Sequence, residues 1–138
     1  MLDLGHSLLA SAERNPDAEA IVDDNFRLDY GAWAALVGQV AAGLNDLGLT
    51  RGDHLVTMLQ NRWQMATLHW ACQFTGIIMT PLNWRFSAEE LEYCVRDCDA
   101  AAVAYEEASL GALAGSPAAQ ATRRISLQPD PAADISFQ

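Results

Sequence analysis

Apolar and polar positions alternate along the chain at two periods, and the switches between them mark out the elements. Leu2, Leu4, Leu8, Leu9 and Ala12 recur at close to helical spacing, and Asn15-Pro16 ends that run, so a helix is predicted over 2–14. EAIVD (19–23) and FRLD (26–29) are short strand-like runs on either side of Asp24-Asn25, the pattern of a hairpin. Asp29 offers a capping oxygen to a helix carrying Trp33, Leu36, Val37, Val40, Ala41, Leu44 and Leu47 on one face, with Gly48 as its stop. HLVTML (54–59) reads as a strand. Asn61, with Gln64 three residues on, is expected to cap a helix over 62–75 that is apolar on most sides and so buried from more than one direction. Gly76 ends it, and IIMTPL (77–82) is the next strand. The longest apolar stretch, around Ile77–Met79, is expected to be buried.

Strand, helix and strand in this order fit a crossover between parallel neighbours. Ser87 and Glu90 form a capping box ahead of Leu91, Cys94, Val95 and Cys98, and AAVAY (101–105) closes a further strand that opens at Ala100. The expected class is α/β: a mostly parallel sheet flanked by helices, with an N-terminal β-hairpin. Composition changes after Glu107. Residues 108–121 read as a weak helix and a surface loop, RRISL (123–127) as one more strand, and 128–138 as a stretch with no completed element. The chain therefore divides into 1–107 and a less regular 108–138.

Composition narrows the chemistry. The chain is 51% hydrophobic, enough for a core, and carries a net charge of −10. Such an acidic surface repels phosphate backbones and anionic membranes, which excludes nucleic acid as an expected partner. All eight basic residues are arginine. Without lysine there is no phosphate loop ending in GK[ST], no Schiff-base nucleophile and no ammonium to meet a transferring phosphate. Cys72, Cys94 and Cys98, an odd number with no secretory leader ahead of them, point to a reducing compartment. No run reaches the ~18 apolar residues of a membrane span. A soluble, cytoplasmic protein is expected.

Single residues suggest little catalysis. Cys94 and Cys98 share a helix face at i and i+4, but with only Cys72 elsewhere and no nearby histidine they do not complete a tetrahedral metal site, and packing is the expected role. His6, His54 and His69 are scattered, and His69 is expected to be a buried, hydrogen-bonded structural residue. Glu89, Glu90 and Glu92 complement a helix N-terminus. Gly38 and Gly43 are expected to allow close helix packing.

The order of punctuation says more than any single residue. FRLDYGAWAALVGQVAAGLNDLGLTRGDHLVTMLQN (26–61) and WQMATLHWACQFTGIIMTPLNWRFSAEELEYCVRDCDAAAVAYEE (63–107) resemble the N-terminal region of AMP-forming, adenylating acyl-CoA synthetases. The most diagnostic pieces are Gly48 with Gly52-Asp53, Gly76 followed by Pro81-Leu82-Asn83-Trp84-Arg85, and then Glu90-Leu91. The resemblance covers roughly 1–107 and weakly extends to Leu127.

Membership of that family implies a two-step reaction in the full-length enzyme, using ATP, Mg2+, coenzyme A and a small-molecule carboxylate. The carboxylate attacks ATP to give an acyl-adenylate and pyrophosphate, and the coenzyme A thiol then displaces AMP. The resemblance also implies that Arg85, at the arginine of the PLNxR stretch, lies near the nucleotide end of coenzyme A, where a planar guanidinium suits phosphate. The competing expectation pairs Arg85 with Glu89 or Glu90. Asn83 and Trp84 are expected to shape the turn, Trp84 standing where proline is often seen.

The family's glycine-rich phosphate loop, its later motifs and its catalytic lysine are absent. The chain is thus read as an N-terminal fragment, inactive alone, not expected to bind ATP, Mg2+ or coenzyme A strongly by itself, and prone to self-association through uncovered strands. The alternatives are a fragment of an adenylation domain that loads a carrier protein, or a stand-alone interaction module. The acyl substrate stays open among fatty, aromatic and alicyclic acids.

Overall fold

The computed structural model describes residues 3–137, so Leu2, expected at the start of the first helix, lies outside the described residues. Helix α1 runs Leu4–Arg14 behind an Asp3 cap that accepts the His6 N–H. Strands β1 (Glu19–Asp23) and β2 (Phe26–Asp29) pair antiparallel as the hairpin read from the sequence. Asp24 takes a φ of 49°, a left-handed turn position that a short polar side chain tolerates. Asp29 caps α2 (Tyr30–Asp46) by accepting the Ala32 N–H at 2.7 Å, and Gly48, at φ 89°, follows the end of that helix as expected.

A parallel sheet follows, made of β3 (His54–Met58), β4 (Ile78–Pro81), β5 (Ala102–Tyr105), β6 (Arg123–Ser126) and β7 (Ile135–Ser136) in the spatial order β4-β3-β5-β6-β7. Between these strands lie α3 (Trp63–Thr75), α4 (Ala88–Asp97) and the short helices α5 (Leu110–Ala114) and α6 (Pro117–Ala121). Of the weak helix and surface loop expected over 108–121, the helix is α5, while α6 stands where the loop was expected, opened by Pro117 in its first turn, where the missing N–H costs nothing.

Side-chain alternation along the strands divides the core into two layers. Leu55, Ala102, Ala104 and Ile125 face Leu8, Trp33, Val37, Leu44, Leu68 and Ala71 on α1–α3. Val56, Met58, Val103 and Tyr105 face Leu91 and Val95 on α4, Leu113 on α5 and Ala119 on α6. Both faces of the sheet are therefore covered. Among the described residues, what stays open of the sheet is its two edges, β4, where Ile78 is 46% exposed, and β7, where Ile135 is 38% exposed. This corrects the expectation of a buried strand at Ile77–Met79: Ile77 is buried, but β4 is an edge strand, and hydrophobicity alone does not say which strand ends a sheet.

Two further expectations fail. The stretch after Leu127 completes a strand, β7, because the Arg124 N–H donates to the Asp134 carboxylate at 2.7 Å and the Asp134 N–H to the Arg124 carbonyl at 2.9 Å, which pins the segment beside β6. Gly38 faces open space rather than a packed helix, whereas a Cβ on Gly43 would sit 3.6 Å from Ile135.

Glu92 ties the second layer together. Its carboxylate accepts from Ser116 Oγ at 2.7 Å, the Ala118 N–H at 2.8 Å and Arg96 Nε at 2.6 Å, joining α4 to the start of α6. The Ser116 hydroxyl and Ala118 amide, with Arg96 behind them, hold the carboxyl below its ordinary value of 4.5. A carboxyl whose folded-state pKa is depressed stabilises the fold above its unfolded value and loses that contribution as pH falls through the folded one. Glu92→Gln is therefore expected to lower stability at pH 7 and to flatten the loss between pH 4.5 and more acid conditions, as read by urea melts at several pH values. An unchanged acid slope would show that Glu92 is not one of the groups being protonated.

Candidate functional site

In the order β4-β3-β5, the chain leaves β3 toward one edge and returns past it to the other side. The loops after β3 and β5 therefore diverge at the carboxyl ends of the strands, where open parallel sheets hold their ligands. Gln60, Asn61 and Arg62 follow β3 there, and Glu106 and Glu107 follow β5. The Glu106 carboxylate is buried, accepts the Gln60 backbone N–H and lies 3.3 Å from the Nε of Arg62, which is itself half exposed. The Glu106 backbone is fixed in turn: its N–H donates to Ser109 Oγ at 3.1 Å, and that hydroxyl donates to its carbonyl. A cleft of about 220 Å3 lined by Arg62, Gln64, Glu106, Glu107, Leu127 and Gln128 opens beside them. Among the described residues, this cluster offers charge and hydrogen-bond donors rather than an activated nucleophile.

Glu106 is not among the residues singled out from the sequence, although a signal for it exists. It is the charged residue directly after an unbroken apolar strand, at the carboxyl end of a parallel sheet, and its burial requires a partner.

The start of α3 also differs from expectation. Asn61 does not cap the helix. Arg62 is the N-cap residue, with no side-chain bond of its own to the helix, and the Trp63 N–H donates instead to Asp23 Oδ2 of the hairpin at 3.1 Å. Phe26 of the hairpin stacks on Trp63 with ring centroids 4.4 Å apart, and Phe137 meets the same indole edge-on at 6.1 Å. Hairpin, α3 and β4 together enclose a second cleft of about 520 Å3, lined by Val22, Asp23, Met65, His69 and Met79 among others. His69 lies on this cleft, packed edge-on to Trp70 and only partly buried, and its ring makes no hydrogen bond among the described residues. The expectation of a buried, hydrogen-bonded histidine is thus corrected, because the neighbouring edge strand leaves that side of α3 open.

The turn from β4 to α4 carries Arg85. Asn83 shapes it, as expected: its Oδ1 accepts the Arg85 N–H and its carbonyl the Phe86 N–H, each at 3.0 Å. Ser87 and Glu90 then close the predicted capping box at 3.2 and 2.8 Å. Glu90 is occupied by the Ser87 N–H, and among the described residues no carboxylate forms an ion pair with Arg85. The exposed guanidinium lies instead over the Trp84 ring, its carbon 4.4 Å from the centroid.

The thiols pack. Burial pushes Cys72 up to about 12 and raises Cys98, while Cys94 is partly buried. No three His, Cys, Asp or Glu side chains converge as a metal-binding set among the described residues. Nor is any described helix long and apolar enough to cross a membrane.

A parallel sheet covered by helices on both faces, with its strand order reversing at β3, defines a doubly wound α/β unit. The AMP-binding enzyme family matches residues 8–136, and the chain belongs to that family. It is 35% identical over 95 residues to the mitochondrial medium-chain acyl-CoA ligase ACSF2 of Macaca fascicularis, a match covering 67% of this chain and 15% of that protein. Among solved structures, a benzoate CoA ligase from Burkholderia xenovorans LB400 superposes with a TM-score of 0.84 at 17% identity, over 94% of this chain and 26% of that one. The N-terminal domain of FACL13 from Mycobacterium tuberculosis does so at 0.82 and 23% identity, over 99% of this chain and 34% of that one. These structural likenesses establish the fold.

Proposed function

We propose that these 138 residues form the opening part of the large domain of an ATP-dependent, AMP-forming acyl- or aryl-CoA ligase. The observation that carries this reading is the family match over 8–136, on a sheet that carries the Arg62–Glu106 pair past β3 and β5 and Arg85 in the turn after β4. In the reaction, a carboxylate oxygen attacks the α-phosphorus of ATP and pyrophosphate leaves. The coenzyme A sulfur then attacks the acyl carbon, and AMP leaves. A carboxylate is a poor electrophile until its oxygen belongs to a good leaving group, and the charge developing on phosphate has to be offset by Mg2+ and positive side chains.

On this reading the chain's own contribution is scaffold and one phosphate contact. Arg85 meets the phosphates at the nucleotide end of coenzyme A, and the lack of a carboxylate partner among the described residues supports that role. With no lysine and no glycine-rich phosphate loop among the 138 residues, the groups that handle ATP come from polypeptide outside them. Incubated with ATP, Mg2+ and a panel of fatty, aromatic and alicyclic acids, the 138-residue chain is expected to release pyrophosphate only at the background rate. Release above background would overturn the division of labour proposed here.

A further inference from the structure

We infer that Trp84 is a positioning residue for Arg85, holding the guanidinium ready for a phosphate of coenzyme A. This rests on the reading of Arg85 given under the proposed function. Three observations carry it. The Arg85 guanidinium carbon lies over the indole at 4.4 Å, a distance at which a cation is attracted to the ring face. The nearest acidic turn does not compete for it, because Glu90 is occupied by the Ser87 N–H and no ion pair to Arg85 forms among the described residues. The backbone beneath is itself fixed, with the Arg85 N–H on Asn83 Oδ1 and the Phe86 N–H on the Asn83 carbonyl.

An arginine on an exposed turn ordinarily loses much side-chain freedom when it binds a ligand, and that loss subtracts from affinity. Contact with the ring restricts the guanidinium beforehand while leaving its charge unneutralised. A carboxylate partner would restrict it too, but would occupy the very donors a phosphate needs. Proline, often found at this position in sequences of this pattern, has no ring face to offer a cation.

The test uses the 15N-labelled 138-residue chain, coenzyme A as probe and adenosine, which lacks phosphate, as control. Without ligand, the Arg85 Nε–H resonance is expected upfield of a free arginine because of the indole ring current. It should keep that position in Trp84→Phe and lose it in Trp84→Leu, which fills the half-buried space without a π face. Titration to millimolar coenzyme A is expected to move the resonance, and adenosine is not. Arg85→Ala should weaken coenzyme A binding about tenfold, Trp84→Leu about threefold, and Trp84→Phe less than about twofold. If Trp84→Leu changes neither the resonance nor the affinity while Arg85→Ala still weakens binding, the role of Trp84 is wrong and the phosphate contact stands. If Arg85→Ala leaves affinity unchanged, or coenzyme A never moves the resonance, the phosphate contact fails, and the positioning role fails with it.

Discussion

Trp33→Ala is expected to destabilise the chain by about 4 kcal/mol, the middle of the range for emptying a buried aromatic site, and to lower the melting temperature by roughly 12 °C. Trp33 sits in α2 at the centre of the first core layer, 7% exposed, with Trp70 of α3 edge-on at 6.4 Å. Its Nε1–H donates to Thr67 Oγ1 at 3.1 Å, and that hydroxyl donates on to the Trp63 carbonyl at 2.8 Å. The relay makes a second variant informative. Trp33→Phe keeps an aromatic ring and leaves the Thr67 hydroxyl with a carbonyl to donate to, so no buried donor is orphaned and the cost should fall to about 1.5 kcal/mol. Equal losses for Ala and Phe in calorimetry would show that the indole N–H, rather than the packed ring, dominates this site.

Glu106→Ala is expected to cost about 2–3 kcal/mol, because it removes the acceptor for the Gln60 amide and the partner of Arg62 together. The figure stays below that for a fully buried ion pair because half of the Arg62 side chain is in solvent. The effect should also be local. Hydrogen exchange at Gln60 is expected to accelerate more than exchange in β5 or α2, since the carboxylate holds the β3–α3 loop to the end of β5. Glu106→Gln, which retains one acceptor oxygen, should recover about half of the loss. Uniform acceleration across the chain would mean that Glu106 acts through global stability and not as a clamp on the crest.

Features governed by neighbours along the chain are legible in the residues themselves. Asp24-Asn25 turns the hairpin, Asp29 caps α2, Gly48 and Gly76 take left-handed positions at φ 89° and 73°, and Ser87 with Glu90 forms the box. Each of these is a contest between a few adjacent backbone groups, and residue type decides it. The features that sequence reasoning misses depend on residues far along the chain. The α3 start is satisfied by Asp23, forty positions away, so the local rule favouring Asn61 has no means of seeing its rival. Strand β7 is two residues long and held by Asp134, too short to leave a hydrophobic pattern. His69 carries the periodicity of a buried helix face, and only the sheet order reveals that the strand beside it is the last one. At the crest, resemblance picks out Arg85 but not its surroundings. Its cation–π contact depends on the rotamers of two adjacent side chains, which spacing does not encode. Glu106 escapes notice because an isolated acid after a strand looks like a surface residue until burial is known.

The β4 edge of the sheet limits how copies of this chain can join along it. The amides of Ile78 and Leu82 both point inward to carbonyls at the β3 side, Asp53 and Thr57. By the alternation of a strand, Met79 and Pro81 turn their backbones outward, and proline has no hydrogen to give. A docking strand would therefore find a donor at Met79 and none at the next outward position. Such a border lets a neighbour attach over a short length but does not template an extended ribbon, so concentrated solutions should yield small, reversible assemblies rather than fibres.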